Sequence, residues 1–137
     1  MRKWGIVAVC AVALVGITVA AAEKAPESFS KLMKDNGAAL QSLGKAADSK
    51  DYDTVAKNAA SLQANFKEVG KFWTERKNQD ALATCGAAFK AASELEAAAK
   101  AKNDMALADA RKALGGACQS CHQAHREKMP DGTFELK

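Results

Sequence analysis

The sequence is poor in chain breakers and in aromatic side chains. Its 137 residues include two prolines, Pro26 and Pro130, and aromatics make up only 6%. Little between those prolines opposes helix, and abundant alanine favours it, so the composition predicts an all-helical domain. No internal repeat and no linker divide the chain, whose length suits one domain with one core. A Gly-rich phosphate-cradling loop and a nucleophile–base constellation are also missing, which removes the usual carriers of nucleotide and hydrolytic chemistry.

Strong charge is absent as well. The formal net charge is +4, and Arg2 and Lys3 are the only charged residues of the first 22, so the other 115 residues carry +2. A balance so near neutral argues against broad nucleic-acid binding, which needs a concentrated basic face. Those first residues have a secretory layout: Arg2 and Lys3, an apolar run over 6–19, then Ala20-Ala21-Ala22 as a small-residue cleavage site. The run falls short of the roughly 20 residues of a spanning helix. The expectation is a signal peptide over 1–22, cleaved after Ala22, and an exported periplasmic domain over 23–137, with an uncleaved membrane anchor as the rival. Cys10 lies in the apolar run and leaves with it.

Three cysteines then remain: Cys85, Cys118 and Cys121. Exported chains usually pair their cysteines, but Cys118 and Cys121 fall within one helical turn and make a poor staple. Read with its neighbours, the segment Cys118-Gln119-Ser120-Cys121-His122 has the spacing of covalent haem attachment. Each thiol can add across a vinyl group of haem, and the following imidazole becomes the proximal axial ligand of the iron. A dithiol oxidoreductase would carry its Cys-x-x-Cys at a helix N-terminus within a βαβ unit, and here no strand is expected. A zinc site would need a second Cys/His pair at suitable spacing. Cys85 shares an apolar stripe with Leu82, Phe89 and Ala92, which reads as a buried free thiol; an intermolecular disulfide or a reactive thiol is the other reading.

Hydrophobic periodicity predicts four helices. The first spans 26–44 with Phe29, Met33, Asn36/Gly37, Leu40 and Leu43 on one face. Residues 49–53 supply capping signals for the second, which carries Val55, Ala59, Leu62, Phe66, Val69 and Trp73. The third, over 80–100, presents Leu82, Cys85, Phe89, Ala92, Leu95 and Ala99. Asn103 or Asp104 caps the fourth, whose stripe is Leu107, Ala110, Leu114, Cys118, Cys121 and His125, and Pro130 and Gly132 stop it. Short connections imply an antiparallel up-down-up-down four-helix bundle, with the tail 131–137 frayed.

The same geometry narrows the ligand on the far side of the iron. His125 and Met129 follow His122 on its own helix and cannot reach the opposite face. Met105 stands 17 residues before His122, roughly 25 Å away along a helix, and Met1 leaves with the signal. Met33, inward-facing on the first helix, is the Met or His side chain left, though Met on such a face is ordinarily core filling. Gly37 one turn on is costly within a helix and reads equally as room for a planar group or as close helix contact.

These residues together resemble the class II c-type cytochromes, the cytochrome c prime family and its low-spin relatives, across 24–129. The likeness rests on Cys118-Gln119-Ser120-Cys121-His122 with Arg126 four residues on, on Lys31-Leu32-Met33-Lys34-Asp35-Asn36-Gly37, and on Trp73-Thr74-Glu75-Arg76. It implies an antiparallel four-helix bundle with one haem c. In low-spin members a methionine at the place of Met33 is the distal ligand. In high-spin members that place holds an apolar side chain, occasionally Met, which blocks the iron without binding it. Arg126 resembles the family's proximal-side cation, with a solvated surface role as the alternative, and Trp73 is placed either against the porphyrin or simply in the core. Two departures stand out: His125 occupies a position often aromatic in the family, and the segment between the first two helices is short. His125 then reads either as a partly exposed helix residue or as a partner for a haem propionate.

The expected function is a periplasmic monohaem electron carrier, not an enzyme, with low-spin His122/Met33 ligation and redox proteins as partners. Lys31 and Lys34 flank Met33 and are either steering charges or the solvated side of the helix. The alternative is a five-coordinate haem protein binding nitric oxide or carbon monoxide.

Overall fold

Three turns of one kind set the fold. The computed structural model describes residues 22–137, so positions 1–21 of the expected signal lie outside the described residues. Four α-helices follow in order, α1 (Glu27–Asp48), α2 (Tyr52–Glu75), α3 (Gln79–Lys100) and α4 (Asp104–His125), joined by residues 49–51, 76–78 and 101–103. The middle residue of each turn is a lysine in left-handed backbone: Lys50 (φ 57°), Lys77 (φ 53°) and Lys102 (φ 51°). The third is Asp51, Asn78 or Asn103, whose side-chain oxygen accepts from the backbone N–H of Thr54 (3.1 Å), Ala81 (3.0 Å) or Ala106 (3.0 Å). Its own N–H donates back to Ala46 O (2.8 Å), Trp73 O (3.1 Å) or Ala98 O (3.0 Å). One three-residue unit thus closes a helix by a Schellman pattern and caps the next.

The result is an all-α four-helix bundle in which α1 packs on α2, α2 on α3 and α3 on α4. On α2 the whole expected stripe of Val55, Ala59, Leu62, Phe66, Val69 and Trp73 is buried. On α3 the buried set is broader and smaller than the expected stripe. Ala81, Ala88, Ala91 and Ala98 join Cys85, Ala92, Leu95 and Ala99, while Leu82 and Phe89 are only half-buried at the edge. Alanine there lets α2 and α4 approach on two sides. On α4 the burial fades: Leu107, Ala110 and Leu114 are enclosed, but Cys118, Cys121 and His125 are half-buried.

Two boundaries differ from expectation. α1 runs past Gly44 to Asp48, because the left-handed terminator is Lys50 and no glycine marks it. α4 stops at His125, well before Pro130, where Arg126 turns extended (φ −128°, ψ 131°). The tail is not frayed. β1 (Arg126–Lys128) and β2 (Phe134–Leu136) pair antiparallel, Arg126 opposite Leu136 and Lys128 opposite Phe134. Their turn uses Gly132 in left-handed backbone (φ 85°), and Asp131 Oδ1 accepts from Thr133 N at 2.9 Å and Oγ1 at 2.7 Å. Glu23 and Leu136 exchange both backbone hydrogen bonds at 2.8 Å, and Glu23 pairs with Arg76, so the two ends of the described chain are tied to the α2–α3 turn.

Among the described residues no helix is long and apolar enough to cross a membrane.

The shared turn gives a direct test. Lys102→Gly should raise the unfolding free energy in urea by about 0.5–1 kcal/mol, since glycine takes left-handed backbone without the steric cost. Asn103→Ala should lower it by about 1 kcal/mol through loss of the cap.

Candidate functional site

α1 and α4 face one another across the bundle without packing closely along their length. They meet near the C-terminal end of α1, where Arg111 Nη1 pairs with Asp48 at 3.1 Å. Antiparallel helices in that register bring Met33, fifteen residues before Asp48, level with the end of α4. There the helices stand apart around a cavity of about 520 Å³, within the usual range for cofactor sites.

Met33, Phe29, Ser30 and Lys34 line it from α1, and Cys121, His122 and His125 from α4. Trp73 lines it from α2, and Arg126 with Thr133, Phe134, Glu135 and Leu136 from the C-terminal hairpin. The structure therefore brings together Met33, Trp73, Cys121, His122 and Arg126 of the sequence-derived set. Cys118 is not in the lining; it is half-buried against the core. Met105 is 77% exposed, far from the site, and Met129 belongs to the hairpin turn, not to α4.

Electrostatics at the α4 end favour neutral groups. Burial, aided by the Arg126 charge, lowers the His122 pKa below its ordinary value, so its imidazole holds a free lone pair for a metal near neutral pH. Burial raises the Cys118 and Cys121 thiols, the former further through Cys121. Met33 and Lys34 stand on the α1 wall; neighbouring Lys31 is tied to Asp35 at 2.6 Å. A Cβ built on Gly37 meets nothing within 4 Å, which excludes close helix contact as the reason for that glycine.

The floor is aromatic. Phe29, Phe72 and Trp73 stack with centroids 4.0–5.7 Å apart. Trp73 is 4% exposed, yet its Nε1 has no hydrogen-bond partner. His125 is a half-buried residue at the end of α4: its ring lies 5.3 Å from that of Trp73, its Nδ1 lies 3.5 Å from Asn78 Nδ2, and its buried Nε2 is unpartnered. Arg126 is exposed but stacks on Phe134, Cζ 4.1 Å from the ring centroid.

The hairpin and Asn78 are the parts that sequence reasoning missed. A hairpin signal was present in Asp131-Gly132 followed by the alternating Phe134-Glu135-Leu136. Asn36 was placed on the inner face of α1, and it is 5% exposed there, its Oδ1 accepting from Asn65 Nδ2 at 2.9 Å.

The donors at the cavity are the His122 imidazole on α4 and the Met33 thioether on α1, with the Cys121 thiol and the His125 ring on the α4 side. Among the described residues no three His, Cys, Asp or Glu side chains converge to hold a bare ion. The arrangement fits a flat apolar group carrying its own metal, which needs two axial donors and no cage. No family model matches the chain, and no curated protein matches it.

Cys85 lies apart from this lining, buried, with Sγ donating to Phe66 O at 3.1 Å. Burial, with smaller contributions from Cys121 and Cys118, pushes its thiol up to about 11. Iodoacetamide at pH 8 should therefore leave Cys85 unlabelled in the folded protein and label it once urea unfolds the chain, read by peptide mass. The raised pKa stabilises the fold below the ordinary thiol value of 9.0 and loses that effect as pH rises toward about 11. Cys85→Ala should flatten this part of the stability–pH curve.

Proposed function

We propose that the protein is an exported, periplasmic monohaem c-type cytochrome that carries single electrons between redox proteins. Cys118 and Cys121 would hold haem c through thioethers, His122 would be the proximal axial ligand and Met33 the distal one. The observation that carries this reading is that Met33 and His122, on two helices far apart in sequence, line one cavity together with Cys121. Bound there, the haem supplies reversible one-electron exchange at its iron.

The chain's own residues have definable parts in that reading. His122, kept neutral by burial and by Arg126, offers its lone pair from α4. Met33 offers a soft thioether from α1, and such a ligand favours the reduced iron and raises the potential. Phe29, Trp73 and Leu136 are buried apolar walls that keep water away and limit reorganisation when charge changes. Lys34 at the cavity is the more useful of the two lysines for steering an acidic partner, since Lys31 is partly neutralised by Asp35.

The tests are mass and colour. Protein made in a host competent for haem attachment should gain the mass of one haem and show a low-spin spectrum with a methionine–iron charge-transfer band. Met33→Ala should convert it to a high-spin spectrum with rapid carbon monoxide uptake. An unchanged low-spin spectrum in Met33→Ala would refute the ligand assignment. A parent already high-spin and quick to take carbon monoxide would make the protein a gas binder.

A further inference from the structure

Two neighbouring rings at this cavity, those of Trp73 and His125, each carry a buried ring nitrogen without a partner. Trp73 Nε1 is a donor by chemistry, since an indole nitrogen cannot accept. For His125 the turn decides. Asn78 Oδ1 is engaged as the cap of α3, accepting from Ala81 N at 3.0 Å, which fixes the amide with Nδ2 toward His125 Nδ1, 3.5 Å away. Nδ1 then takes the acceptor role, and the network assigns the proton to Nε2.

Both N–H groups are buried, and neither has a partner. A buried N–H without an acceptor is costly, and Trp73 and His125 place two of them at one cavity. The rings lie 5.3 Å apart centroid to centroid, close enough to address one group. Glu135 lines the same cavity, yet its carboxylate bonds to neither donor. Arg126 at the cavity edge makes the surroundings favourable to negative charge. A carboxylate matches this demand, with one oxygen for each donor and the added strength of a charged acceptor. Protein atoms cover both N–H groups, so a carboxylate reaches them only as the walls part around the group that carries it.

We propose that Trp73 Nε1 and His125 Nε2 form a two-donor clamp for a single carboxylate at the cavity wall. Resting on the haem reading above, that carboxylate is one of the two haem propionates. Asn78 acts as a positioning residue: its capping bond to α3 holds His125 in the donor tautomer.

The test uses the haem-bearing protein and two variants, Trp73→Phe and His125→Phe, which keep an aromatic ring and remove the N–H. Resonance Raman spectra should show the propionate bending bands shifted in each variant and shifted little further in the double variant. The midpoint potential should fall in each, because a carboxylate stripped of donors stabilises the oxidised iron. Should Trp73→Phe fail to fold, His125→Phe alone decides, since that residue is half-buried at a helix end. Covalent haem confirmed by mass, with bands and potential unmoved in the variants, overturns the clamp and leaves the cytochrome reading standing. A parent without covalent haem overturns both.

Discussion

The constraint on which the rest depends is an interface that stays open. Three of the four neighbouring helix pairs pack along their length, and in the two that include α3 small residues allow close approach: Ala81, Ala88, Ala91, Ala92, Ala98 and Ala99 are all buried. α1 and α4 are held at one end by Arg111 and Asp48 and stand apart at the other, where α1 brings Met33 and α4 brings His122 to the same space. Had larger side chains separated α2, α3 and α4, the gap would have been shared among all the interfaces. Concentrating it on one side and at one end yields a cavity large enough for a flat cofactor while the far half of the bundle keeps a solid core of Leu43, Leu62, Leu95 and Leu114.

Much of this was legible in the sequence, for physical reasons that also explain what was not. The stripe on α2 could be read residue by residue because large apolar side chains at steps of three and four leave one way to bury it. Helix α3 was harder: alanine is compatible with either face, so periodicity found Cys85, Ala92, Leu95 and Ala99 but also took in Leu82 and Phe89, which lie at the edge, and passed over Ala81, Ala88, Ala91 and Ala98. Helix ends were misplaced where the signal was atypical. Sequence rules look for glycine in left-handed backbone, and all three interhelical turns use lysine there instead. The Asp or Asn that follows each lysine was the better marker, since its side chain accepts from the third amide of the next helix and its own N–H closes the previous one.

The candidate site was legible in part. The Cys-x-x-Cys-His spacing is local and can be read directly, and helix rise alone set Met105 aside; the place given to Met129 on the last helix was wrong, because α4 ends at His125. The cover over the cavity could not be reached that way. The hairpin of Arg126–Lys128 and Phe134–Leu136 had a local signal in Asp131-Gly132, but its bridge to Glu23 at the other end of the described chain had none. Its consequence is chemical. Phe134, Glu135 and Leu136 line a cavity that a frayed tail would have left open to water.

One residue shows how fold and site share the same atoms. Asn78 belongs to a repeated turn, and its counterparts Asp51 and Asn103 only cap helices. Asn78 differs because its turn lies at the cavity end, within reach of the last residue of α4. Its oxygen is fixed by the cap, so its amide nitrogen faces His125, and the imidazole is left with an N–H that nothing in the chain accepts. An asparagine chosen for stability alone could be exchanged for aspartate, as in the first turn, at little cost to capping. At position 78 that exchange would replace a donor by a second acceptor facing Nδ1 and would invert the tautomer preference of His125. The amide at position 78 therefore serves the turn and the orientation of His125 at once.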